Sequence, residues 1–348
     1  GAVCGVTYLP RGAAGDIEIA ARDVLLEAGG QLVSRAEFQA DAGTVTLALE
    51  RDLTIRGVAA DGNRSGVLVN AVGSGDQGAI DLRLPKGTLR MDDLGVIVIE
   101  NGEASLATGT PGSIVIEASA LEMAGNARID SSTRGAGAGG DILLTIANHA
   151  TLRGTTDPLE FTGITSLSQP GSTGNAGTIT LAARNVAVFD GAEISARPVG
   201  TGALGDAGNL RLQVVDDLVM RSGTLSTESE VAAGGNIDVA VGGLVDLANS
   251  SITTSVTGGT SPGGDITISP FSKAVILENS RIVARADEGA GGNILIATNA
   301  LLRDTSSIIS ASSNSGVDGT EVINSLQGEI NVFSPELPVE PVDAASLL

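Results

Sequence analysis

The chain has 348 residues, with 48 glycines, 42% hydrophobic but only 2% aromatic residues, and a formal charge of −21. Its aliphatic content excludes a disordered acidic chain, and its one cysteine excludes an internal disulfide scaffold. The acidic balance repels phosphate backbones, so nucleic acid is not an expected partner, and no apolar run is long enough to expect membrane insertion.

The N-terminal Gly1-Ala2-Val3-Cys4-Gly5 lacks the charged and apolar regions of a signal peptide. Cys4 has no partner and is expected to be an inert buried thiol. From Gly15 onward one phrase recurs: glycine, a small or polar residue, alternating aliphatics, a short gap, a second alternating pair, a small-residue corner and a third aliphatic. Copies open at Gly15, Gly43, Gly78, Gly112, Gly140, Gly177, Gly208, Gly235, Gly264 and Gly292, with a degenerate one at Gly319. The base period is about 28 residues.

Within the early copies, Asp92-Asp93 is the first pair of adjacent acids. Gly135-Ala136-Gly137-Ala138-Gly139-Gly140-Asp141 resembles a calcium-binding nonapeptide, but the next unit comes a full period later, so a simple turn is expected. His149 follows a strand and reads as a solvated corner residue, having no second His or Cys with which to hold a metal or build a triad. Insertions are expected after the third aliphatic, as in Thr155–Thr162 with Gln169–Asn175, and in Pro198–Asp206. These stretches are rich in Gly, Ser, Thr and Pro and read as loops on one edge.

The later copies are the clearest. Gly235-Asn236-Ile237-Asp238-Val239 leads to Asn249-Ser250-Ser251-Ile252, Gly264-Asp265-Ile266-Thr267-Ile268 to Asn279-Ser280-Arg281-Ile282, and Gly292-Asn293-Ile294-Leu295-Ile296 to Thr305-Ser306-Ser307-Ile308. Asp216-Asp217 and Asp287-Glu288 are two further acid pairs. The tail Ser334-Pro335-Glu336-Leu337-Pro338-Val339-Glu340-Pro341 carries prolines that cannot donate to a ladder, so 335–348 is expected to be an extended linker.

In each phrase the alternation sends Ile266 and Ile268 to one side and Thr267 to the other. One phrase cannot bury its apolar side alone; stacked phrases can, each backbone bonding to the coils above and below. The expected fold is all-β: a right-handed parallel β-helix over residues 1–334, with about eleven coils of roughly 28 residues. At roughly 4.8 Å per coil the rod is on the order of 50 Å long. A cramped interior suits small corners and few aromatics, with Phe189 and Phe271 as exceptions near the second strand. The corner residues Asn249-Ser250, Asn279-Ser280 and Thr305-Ser306 are expected to form hydrogen-bonded ladders.

Gly-Gly-Asn-Ile (Gly234–Ile237 and Gly291–Ile294), Gly-Gly-Asp-Ile (Gly139–Ile142 and Gly263–Ile266) and the Asn-Ser-x-Ile corners, repeated in phase, give the chain a resemblance to the rod region of the filamentous haemagglutinin family of bacterial exoproteins. The resemblance implies export by two-partner secretion through an outer-membrane transporter. It also implies an extracellular or cell-surface location on a Gram-negative-type bacterium, and attachment or aggregation through a cell-surface glycan or protein receptor. The family's N-terminal secretion motifs are not visible in Gly1–Ala14, so the chain is expected to be an internal or C-terminal fragment.

A rod of this kind is expected to have no catalytic, cofactor-binding or metal-binding residues and to need no cofactor. Two alternatives stand beside it. One is a β-helical polysaccharide lyase or hydrolase, which needs stacked acids and an aromatic wall; the other is a delivery arm for a toxin or effector domain elsewhere in a longer protein.

Overall fold

The computed structural model describes residues 2–7, 12–101, 109–155, 161–200 and 203–331. Every secondary-structure element among them is a β-strand, and every strand pairing is parallel. The strands wind as a β-solenoid of about 10 turns with about 30 residues per turn. Each turn contributes to three faces, named here in the order in which the phrase meets them.

The phrase repeats because its positions stack. Ile237 lies beside Ile266 and Ile266 beside Ile294 in adjacent turns. Downward, the same column continues through Leu210, Ile179, Ile142, Ile114 and Ile80. On the third face Leu32, Val67, Ile97, Ile129, Ile164 and Ile194 form a second column. One typical turn buries Ile237, Val239, Val241, Val245, Leu247 and Ile252. Each such side chain contributes roughly 1.5–3 kcal/mol before ordering entropy opposes it.

The third face is an 11-stranded sheet from Ala2–Thr7 to Ile308–Ser310. The ten copies opening at Gly15 through Gly292 make complete turns; a lone third strand, Ala2–Thr7, precedes them, and the eleventh expected copy contributes only Glu321–Ser325 and Glu329–Asn331. Charged residues enter the inner columns at that end: Ile294 is followed by Glu321, and Leu301 by Glu329. Arg303 continues the column of Leu277 and pairs with Glu329 at 2.6 Å.

Three separate strands per phrase describe the early and late turns only. In the middle of the rod the first and second strands fuse into Ile80–Asp92, Ser113–Met123, Asp141–Arg153 and Ile179–Phe189. The corner is absorbed by irregular register between Ala118 and Leu121 and between Ile146 and His149, a bulge bending a strand without ending it.

The glycines that open the phrases form one column, and the reason is steric. A Cβ built on Gly43 would stand 2.5 Å from the Gly15 carbonyl oxygen, and this is the widest clearance from Gly43 up to Gly319. Gly264 faces the Gly235 carbonyl in this way and Gly292 faces that of Gly264. Only a residue without a side chain lets the backbones approach so closely.

Two expectations about buried residues are corrected. Cys4 is exposed; it pairs with Val33, whose neighbours Leu32 and Ser34 are the ones that face inward. Phe189 also lies outside the core, because Val188 takes the inward position, and the Arg153 guanidinium sits 4.9 Å from its ring centroid. The side chain of Phe271 and the tail 335–348 lie outside the described residues.

Candidate functional site

The outward residues divide into ladders, ion pairs and loops. Where the residue after a phrase glycine is Asp or Asn, its side chain reaches one turn along the rod as part of a ladder. Asn209 Oδ1 accepts from the Asn236 amide at 2.9 Å, Asn236 Oδ1 from the Asp265 amide at 2.9 Å, and Asp265 Oδ1 from the Asn293 amide at 2.7 Å. Asp141 serves the same ladder by accepting from the Thr178 amide at 2.7 Å. The carboxylate of the calcium-like glycine run is therefore part of the stack, and the run itself is closed by a Thr133 hydroxyl donating to the Gly137 carbonyl at 2.6 Å.

A second ladder lies at the corner between the second and third faces, as the Asn-Ser pairs lead one to expect. The Gly223 amide donates to Ser250 Oγ at 3.2 Å, the Ser250 amide to Ser280 Oγ at 3.1 Å, and the Ser280 amide to Ser307 Oγ at 3.0 Å. The continuation runs through Ser307 rather than Thr305-Ser306, because Ser307 is the buried one of the three. Asp304 organises that corner by accepting from the Ser306 and Ser307 hydroxyls and the Asn279 and Ser307 amides. Desolvation raises its pKa, but these donors outweigh it and hold the carboxyl at about 2.

The adjacent acids are dispersed rather than gathered. Asp92 Oδ1 accepts from the Asp93 amide at 2.8 Å. Asp216 pairs with Arg184 at 3.0 Å, while Asp217 Oδ1 accepts from the Leu244 amide at 2.8 Å. Asp287 accepts from the Asn314 side chain at 3.0 Å. His149 lies at the bulge of Asp141–Arg153 rather than between separate strands, half-exposed, with Nε2 3.5 Å from Glu122. Among the described residues no three His, Cys, Asp or Glu side chains gather in a metal-binding group.

Two carboxyls raised by burial lie on the outer side of the third face. Asp130, Thr165 and Ser195 occupy successive turns of one column, and Arg128 and Glu193 flank it. Asp130 accepts from the Ser132 and Thr165 hydroxyls, the latter at 2.9 Å. Phe161 lies against Gly163 and carries the Arg128 guanidinium 5.5 Å from its ring centroid. Burial pushes the Asp130 carboxyl up despite the two hydroxyls, and burial also pushes up Glu193 despite Arg197 at 3.5 Å. No sequence motif marks this patch. Its members meet because they share a column, which only an alignment of the phrases by register could have suggested.

Irregular loops leave the corner between the third and first faces. Gln169–Asn175 follows the strand Gly163–Ser168, and Pro198–Asp206 begins at the end of Glu193–Pro198. Thr155–Thr162 is a correction: it precedes the third strand of its turn, because the third aliphatic is Ile164. Residues 156–160 and 201–202 lie outside those described. At the inner side of the corner buried hydroxyls hold the loop bases: Ser166 Oγ accepts from the Gly177 amide at 2.8 Å, and Thr227 and Thr254 donate to the carbonyls of Gly235 and Gly264, each at 2.5 Å. Such clamps let loop length vary without disturbing the stack.

Compared with protein-family models, with curated proteins and with solved structures, the chain matches none.

Proposed function

We propose that this chain is part of a non-catalytic rod of a secreted bacterial surface protein, mediating attachment or aggregation through the loops at the corner between the third and first faces. The observation that carries the reading is the separation of labour around each turn. Stacked glycines, aliphatics and hydroxyls fix the rod, while Gln169–Asn175 and Pro198–Asp206 change length and composition on clamped bases. Asp216 serves an ion pair with Arg184, and Asp217 accepts from the Leu244 amide one turn along the rod. By the sequence resemblance, the export partner is an outer-membrane two-partner-secretion transporter, the location is the extracellular space or cell surface, and the receptor is a cell-surface glycan or protein.

The test is adhesion of beads coated with the purified chain to bacterial and host cells. Coated beads are expected to bind or clump, and beads carrying a variant with Gln169–Asn175 and Pro198–Asp206 shortened are expected not to, while the thermal transition is unchanged. Adhesion equal to that of albumin-coated beads contradicts the proposal.

The raised carboxyls of Asp130 and Glu193 on one face favour a second reading, a polysaccharide lyase or hydrolase. Product release from acidic or neutral polysaccharides that is abolished by Asp130→Asn would establish it, and absence of product would exclude those substrates.

A further inference from the structure

Guanidinium groups along the rod face carboxylates: Arg51 on Asp23, Arg56 on Glu27, Arg153 on Asp190 and Arg184 on Asp216 are examples. Arg128, whose guanidinium lies over the Phe161 ring, departs from this rule, and so do Arg281 and Arg285, which lie four residues apart on the third face. Among the described residues Arg281 has no side-chain hydrogen bond or ion pair, and Arg285 has only the Ser310 hydroxyl, 3.1 Å from its Nε. In a chain of net charge −21, two guanidiniums left without a carboxylate on one face call for a partner from outside.

Both line the same cleft. Ile282 and Ala284 fill the core, so Arg281, Val283 and Arg285 point outward. Val283 is nevertheless only 8% exposed and Thr253 only 5%, because they form the floor of a cavity of about 390 Å³. Glu228 and Asp287 also line it, each already accepting one bond from a neutral donor, Thr253 at 2.7 Å and Asn314 at 3.0 Å. A second cleft of about 370 Å³, lined by Asn249, Asn279 and Ser251, shares Arg281 and Ile308 with the first. Along extended backbone, Arg281 and Arg285 are roughly 13 Å apart at Cα. The trough is therefore scaled to an oligomer and not to one small ion.

The donors and acceptors define the occupant. Two guanidiniums call for oxyanions, and a planar carboxylate matches their fork. The remaining acceptor capacity of Glu228 and Asp287 calls for hydroxyl donors, and the amides and hydroxyls of the second cleft accept or donate equally well to hydroxyls. A uronate polysaccharide carries both groups on every unit. A densely sulfated polymer, a polyphosphate or a nucleic acid brings charge with too few free hydroxyls to meet Glu228 and Asp287. From this complementarity we propose that the trough centred on Arg281 and Arg285 binds a carboxylated, hydroxyl-rich polysaccharide chain. The proposal does not rest on the adhesive reading, since it concerns the face of the rod rather than its loops.

The test is calorimetric titration of the full chain with short oligogalacturonate, neutral dextran, dextran sulfate and polyphosphate. Binding of oligogalacturonate alone is expected, weakened about tenfold for each guanidinium removed in Arg281→Gln and Arg285→Gln. Arg211→Gln, which breaks an exposed pair with Asp238 on another face, should leave binding unchanged and controls for net charge. Circular dichroism and melting of each variant establish that it is folded, as expected for substitution of exposed side chains. The proposal is overturned if oligogalacturonate does not bind, if dextran binds equally, if dextran sulfate or polyphosphate binds more tightly, or if the double variant binds as well as the unmodified chain.

Discussion

The side-chain amide of Asn279 donates to the side-chain oxygen of Asn249, one turn away, across 2.7 Å, and both residues hold left-handed backbone, with φ of 45° and 49°. Asparagine is the side chain that tolerates this conformation and can still bond along the rod. Asn279→Ala should therefore lose about 1 kcal/mol from the hydrogen bond and a further 1–2 kcal/mol from strain. Asn279→Gly keeps the backbone relaxed and should be the milder change. Denaturant midpoints of the two variants check the order; an alanine variant as stable as the glycine one would contradict it.

The glycine column predicts a contrast within one motif. A Cβ on Gly264 meets the Gly235 carbonyl, whereas a Cβ on Gly15 meets nothing within 4 Å. Gly264→Ala should destabilise by about 1–3 kcal/mol or more, as forced overpacking does, while Gly15→Ala should be close to neutral. Thermal melting distinguishes them, and equal effects would show that the column is not close-packed.

Acid–base behaviour should differ between two parts of the rod. Asp304 is held down at about 2 against an ordinary 3.8, so it stabilises the fold above 3.8 and that contribution fades as pH falls toward 2. Glu193 is raised above its ordinary 4.5, so its contribution is complete below 4.5 and is lost as pH rises through the elevated value. Stability measured from acid to neutral pH should fall less steeply in Glu193→Gln than in the unmodified chain, a comparison in which the repulsion of the remaining acids largely cancels. Identical slopes would mean that Glu193 is not desolvated.

The features readable in the sequence are those that recur with the turn. The phrase glycines, the Ile237–Ile266–Ile294 register and the Asn-Ser corners each repeat a residue type, and each repetition is a column in the structure. What escaped were relationships between unlike residues brought together by that register. Arg281 follows Ser251 in its column and shares a cleft with Glu228 and Asn314, and none of these residues marks the others by type or spacing. Cys4 and Phe189 depart from the expected burial for a simpler reason: an alternating strand has two faces, and composition does not say which face a single apolar residue takes.

The alignment of successive turns is tested most directly by disulfide trapping in a Cys4→Ser background. Asp238 and Thr267 are register partners in adjacent turns, and Leu295 lies beside Thr267 one turn farther on. With Cα atoms about 4.8 Å apart, Asp238→Cys with Thr267→Cys should form an intramolecular bond under mild oxidation. Asp238→Cys with Leu295→Cys, about twice as far apart, should not. Efficient trapping of the second pair in place of the first would contradict the stacked rod.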